Sequence, residues 1–141
     1  MLTFPDKPVI LEFDYELRSR YGETDKMGFV YYGHYLTYFE SARTEMIRKN
    51  GVSYAAMEDQ GVMLPVIHSE VEYRAPIFYD EPVIVRVKVF EKPMVRLQTF
   101  YEVYAKNRDQ LCAKGEVSLA FMDAITRKPR RAPQFFLAQF D

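Results

Sequence analysis

Tyr31-Tyr-Gly-His-Tyr-Leu-Thr-Tyr-Phe-Glu-Ser-Ala-Arg-Thr-Glu-Met-Ile-Arg-Lys-Asn50 is the stretch on which the architecture turns. Within it Tyr35, Phe39, Ala42 and Met46 stand at i, i+4, i+7 and i+11, and Leu36 and Ile47 widen the stripe. That period lines one face of an α-helix. The other face holds Glu40 three residues before Arg43 and Glu45 four before Lys49, spacings that place opposite charges together on a helix surface. Gly51 supplies the stop. At 1.5 Å per residue the predicted helix over 31–50 is about 30 Å long.

On either side of this helix the period falls to two. Leu11, Phe13, Tyr15 and Leu17 alternate with Glu12, Asp14, Glu16 and Arg18, as in a strand with one wet face. A short helical stretch is expected around Tyr54 to Gln60. Strands are then expected from Ile67 to Tyr73, Val83 to Val89, Val95 to Val103, and Leu111 to about Met122. His68 shares its strand's wet face with Glu70, Glu72 and Arg74. The order β-α-β-β-β-β over residues 1–141 reads as one α+β domain, its strands mostly antiparallel neighbours because the connections are short. One helix about 10 Å wide leaves part of a five-stranded sheet about 24 Å across uncovered, so self-association is expected.

Composition narrows the function. With 48% apolar and 28% charged residues, the chain can bury a core and keep a solvated surface. A net charge of −1 provides no field to attract nucleic acid. Cys112 is the only cysteine, and the N-terminus lacks a signal-peptide layout, so a reducing cytoplasm is expected. No apolar run approaches the roughly 20 residues of a membrane span.

Two histidines, one cysteine and no Gly-x-Ser-x-Gly offer neither a nucleophilic triad nor a metal-ligand cluster, and no phosphate loop is present. What remains is a carboxylate, Asp25, in the loop before the helix. Taken alone, such an Asp reads as a turn or cap residue.

The wider stretch Tyr21-Gly-Glu-Thr-Asp-Lys-Met-Gly-Phe-Val-Tyr-Tyr-Gly-His-Tyr-Leu-Thr-Tyr-Phe-Glu-Ser-Ala-Arg43 resembles the signature of hotdog-fold acyl-CoA thioesterases, in the 4-hydroxybenzoyl-CoA and Tol-Pal-associated branch. The likeness continues through Val71-Glu-Tyr-Arg-Ala-Pro76, Tyr79-Asp80 and Pro129-Arg-Arg-Ala-Pro133. It implies a hotdog fold, in which a five-stranded antiparallel sheet wraps one long helix. It further implies an acyl-CoA substrate cleaved by water, no metal or redox cofactor (coenzyme A being part of the substrate), and a homodimer or homotetramer with active sites at the dimer interface.

By the same resemblance Asp25 is catalytic, the backbone N–H of Tyr32 holds the oxyanion, and Gly28, Val30 and Tyr31 contact substrate. A lone carboxylate is chemically sufficient, because a thiol of pKa about 8.5 leaves with little acid help. Asp25 then acts either as general base on water or as nucleophile. Unpaired N–H groups of residues 31–34, at the positive end of the helix dipole, provide the donors. Tol-Pal-associated members usually carry His where Tyr32 stands. His34 reads as a polar first-turn residue, since two helical residues rotate its direction by about 200°. Glu23 raises the Asp25 pKa if both face the site. Glu40 and Arg43 match the family's Phe-Glu-x-Ala-Arg stretch and read as an ion pair. Lys92 and Arg96, flanking the Pro93 turn, are candidates for the phosphates of coenzyme A, with solvated turn charges as the alternative. The competing functions are a hotdog dehydratase and a non-catalytic acyl-CoA sensor.

Overall fold

A computed structural model describes residues 2–141. Strand β1 (Leu11–Arg18) leads through an irregular loop to helix α1 (His34–Lys49) and the short helix α2 (Tyr54–Asp59). Strands β2 (Val62–Met63), β3 (Val66–Tyr73), β4 (Pro82–Val89), β5 (Arg96–Ala105), β6 (Gln110–Ala120) and β7 (Met122–Asp123) follow, then the short helix α3 (Gln134–Leu137). The five longer strands form one antiparallel sheet in the order β1-β4-β5-β6-β3, while β2 and β7 pair separately.

The expected α+β arrangement is present, with three corrections. Helix α1 has 16 residues and begins at His34, so it is shorter than the helix predicted over 31–50, and α3 joins the expected short helix α2 beside it in the chain. The last predicted strand is divided at Phe121, which is fully buried, into β6 and β7. Third, β3 and β4 are not neighbours although only residues 74–81 join them: β5 and β6 lie between. Three strand spacings are about 14 Å, and eight extended residues reach about 26 Å, so the connection crosses the end of the sheet without a helix.

The valines of β4 explain the layering. Val83, Val85, Val87 and Val89 are fully buried against α1, and Ile84, Arg86 and Lys88 between them are only partly covered on the outer face. There Arg86 donates to the carboxylate of its cross-strand partner Asp14 at 2.7 and 3.0 Å. From α1, Phe39 reaches the centre of the sheet and stacks on Tyr101 with ring centroids 4.3 Å apart. Gly115 of β6 makes room for it, since a Cβ built there would lie 2.3 Å from the Phe39 ring.

The charged face of α1 departs from the helical-spacing reading. Glu40 is exposed and makes no ion pair with Arg43, while Glu45 pairs with Arg48 instead of Lys49. Arg43 is only 4% exposed: its Nε donates to the Tyr54 hydroxyl at 3.1 Å and Nη1 to the Tyr101 hydroxyl at 3.0 Å. Arg43 falls between the buried Phe39 and Ile47 as seen along the axis, so the core claims it. Leu36, placed in the apolar stripe, is 44% exposed.

Candidate active site

The loop before α1 is a small hairpin. Thr24 bridges Val30, the Asp25 N–H donates to the Phe29 carbonyl at 3.0 Å, and Gly28 N–H donates to the Asp25 carbonyl at 3.1 Å. Asp25 Oδ1 accepts the Met27 N–H at 2.8 Å, so residues 25–28 form a turn with Asp first and Gly last. Gly28 holds φ +88°, a conformation that glycine adopts without steric cost. It does not line the groove, so its role is the turn and not close approach to a ligand.

This hairpin is held against the 74–81 connection: Phe29 bridges Phe78, and the Val30 N–H donates to the Ile77 carbonyl at 2.8 Å. Between them and the start of α1 opens a groove of about 340 Å³. Asp25, Val30, Tyr32, Tyr35, Tyr73 and Pro76 are among its walls. Tyr73 presents its ring edge to Tyr35 at 5.1 Å, and its hydroxyl donates to the Tyr32 carbonyl at 3.1 Å. Burial pushes the Tyr35 phenol well above the ordinary tyrosine range, so it stays neutral.

Of the four N–H groups proposed as donors, two are occupied: Tyr31 N–H donates to the Glu23 carbonyl at 2.8 Å and His34 N–H to the Tyr31 carbonyl at 3.0 Å. Those of Tyr32 and Gly33 donate to no acceptor among the described residues. Gly33 is the N-cap and has no side chain to cap the helix, which leaves these donors at the positive end of α1.

Other expected residues are placed elsewhere. Glu23 accepts from the Arg20 N–H and the Tyr38 hydroxyl, both at 2.8 Å, so its carboxylate serves the base of the loop. Tyr31 lies outside the groove walls with its ring over Gly33, and His34 is half-buried at the first turn. Lys92 and Arg96 line a separate groove of about 600 Å³ beside Phe90 and Phe100, and Lys92 pairs with Asp141 at 3.0 Å. Within one chain they are not brought to Asp25. Cys112 is fully buried and burial raises its thiol pKa, which makes it a poor nucleophile. The sequence reading missed two features. Tyr73 enters the site from β3, where alternation alone marks it only as an inward residue. His68, Glu70 and Glu116 bring ligand atoms within 4.8 Å of one another across β3 and β6, on a face away from the groove.

Residues 19–140 match the model of the thioesterase-like superfamily. The chain belongs to that superfamily. Among thioesterase-like relatives, the acyl-CoA thioester hydrolase YbgC of Escherichia coli is 30% identical over 91% of this chain and 95% of its own length. The DHNA-CoA thioesterase from Staphylococcus aureus superposes with a TM-score of 0.80 at 40% identity, covering 85% of this chain and 80% of that one. A hypothetical protein from Aquifex aeolicus superposes with a TM-score of 0.81 at 29% identity, covering 92% and 99%. The loop, groove and helix start described above all lie within the matched residues.

Proposed function

We propose that this thioesterase-like protein hydrolyses acyl-CoA thioesters, with Asp25 as its catalytic carboxylate and the Tyr32 and Gly33 N–H groups as its oxyanion donors. The observation that carries this reading is that Asp25 and Tyr32 line one groove, at a helix start whose Tyr32 and Gly33 N–H groups donate to no acceptor among the described residues. As general base, Asp25 takes a proton from water while the water oxygen bonds to the acyl carbon. Charge gathers on the thioester oxygen, where the helix-start donors favour it. The C–S bond then breaks, and the proton passes to the departing thiolate. As nucleophile, Asp25 would first form a mixed anhydride. The thiolate leaves as the anhydride forms, and water then cleaves the anhydride; label entering Asp25 from ¹⁸O-water in a single turnover would establish this route.

No metal or redox step enters this chemistry. The tyrosine edges at Tyr32, Tyr35 and Tyr73 favour a flat aromatic acyl group over a straight chain. β3 lies at the sheet edge with Val66 and Ile67 53% and 47% exposed, which supports pairing with a second copy, to be checked by light scattering. A reducing cytoplasm suits the free, buried Cys112. Among the described residues, no helix is long and apolar enough to cross a membrane.

The test is release of free thiol from a panel of short, long and aromatic acyl-CoA substrates. Asp25→Asn should lower turnover by about 10²–10⁴-fold. A folded variant with wild-type turnover removes Asp25 from the mechanism, and acyl-CoA binding without hydrolysis by the native protein points to the sensor.

A further inference from the structure

The groove wall at 76–78 is not held by the core alone. Arg108, in the turn between β5 and β6, donates through Nε to Glu81 Oε1 at 2.7 Å and through Nη2 to Glu81 Oε2 at 3.0 Å. Nη2 also donates to the Pro76 carbonyl at 2.9 Å, and the guanidinium carbon lies 5.2 Å from the centre of the Phe78 ring. Glu81 Oε2 in turn accepts the Phe78 N–H at 2.8 Å. From the opposite side the buried Ser19 donates its hydroxyl to the Phe78 carbonyl at 2.5 Å and accepts the Glu81 N–H at 2.9 Å.

This arrangement differs from an ordinary surface ion pair. A two-pronged arginine–carboxylate contact is rigid in a way that a single lysine contact is not. The Glu81 side chain is only 17% exposed, and the pair holds its carboxyl below the ordinary carboxylate range. What the pair grips is the strip against which the Asp25 hairpin lies. Pro76 lines the groove, Phe78 bridges Phe29, and the Phe29 carbonyl accepts the Asp25 N–H. Arg108 therefore connects to Asp25 through Glu81, Phe78 and Phe29, each link a stated contact.

We infer that Arg108 and Glu81 are positioning residues for hydrolysis: a clamp that sets the 76–78 strip and, through it, the placement of Asp25 relative to the helix-start donors. The inference rests on the thioesterase reading and adds two residues that never touch substrate. Catalytic geometry is steep, with a misplacement of about 1 Å able to cost about 100-fold.

Arg108→Ala should lower kcat about 10- to 100-fold while KM changes less than about twofold. Arg108→Lys keeps the charge without the fork and should recover only part of the loss. In an Asp25→Asn background Arg108→Ala should cost little more, because the group being positioned is gone. A folded Arg108→Ala with kcat within about twofold of wild type overturns the inference, as does an equal fractional loss in the Asp25→Asn background. Amide hydrogen exchange gives a readout independent of turnover. The Asp25 and Val30 amides should exchange faster in Arg108→Ala while the β4–β5 ladder is unchanged, and unaltered exchange at both also overturns the inference. Failure of the native protein to cleave any acyl-CoA would sink the thioesterase reading and leave the exchange result to judge the clamp.

Discussion

Gly115→Ala tests how closely α1 packs on the sheet. The new methyl group would sit 2.3 Å from two atoms of the Phe39 ring, against an ordinary carbon contact of about 3.5 Å or more. The ring must retreat by more than about 1 Å. It has little room, because Phe39 is fully buried and stacked on Tyr101 at 4.3 Å, and the Tyr101 hydroxyl is engaged by Arg43 and Thr99. Overpacking of this kind costs about 1–3 kcal/mol, and the upper end applies where the neighbour is pinned on its far side. At about 4 °C per kcal/mol for a domain of this size, the melting temperature should fall by about 10 °C. The measurement is thermal unfolding followed by circular dichroism, with Phe39→Leu as a companion variant. Shortening the obstructing ring should make Gly115→Ala less costly, giving a coupling of at least about 1 kcal/mol between the two changes. An unchanged melting temperature for Gly115→Ala, or strict additivity with Phe39→Leu, would refute the close ring-on-backbone packing from which the figure is worked.

The remaining predictions concern the helix start, the buried arginine and the clamp. Tyr32→Pro deletes a backbone N–H and should lower kcat about 100-fold, whereas Tyr32→Ala keeps the donor and should stay within a few-fold of wild type; equal losses would assign the role to the side chain. Tyr54→Phe leaves Arg43 Nε without its acceptor and should cost about 1–3 kcal/mol in denaturant unfolding, a result that an unchanged midpoint would contradict. Arg108 lowers the Glu81 carboxyl pKa below its ordinary 4.5, so this group's contribution to stability is present above that value and lost as pH falls through the lower folded value. Glu81→Gln should therefore be less stable than wild type at neutral pH and close the gap below about pH 4.5; a gap independent of pH would refute the linkage.

The elements were legible because their signals are local. A stripe at i, i+4, i+7 and i+11 calls for a helix whatever surrounds it, and five alternating segments call for strands. Asp25 could be singled out only through resemblance, since an Asp opening a turn that closes on Gly28 is an ordinary turn residue, and in the structure it is also that. Arg43 shows where local reading fails. Three residues after Glu40 it has the spacing of a surface ion pair, and only the tyrosines of α2 and β5, 11 and 58 residues away, draw it inward.

Periodicity and loop chemistry in the chain were thus enough to establish an antiparallel α+β architecture and a carboxylate placed before a helix. Which strands become neighbours was not contained in them, because backbone pairing is the same for every strand and register is chosen by long-range burial. The passage of residues 74–81 across the sheet end follows from that choice. It brings Tyr73, Pro76 and Phe78 to the Asp25 loop beside a helix start whose Tyr32 and Gly33 N–H groups donate to no acceptor among the described residues, so the groove exists only once the sheet is assembled.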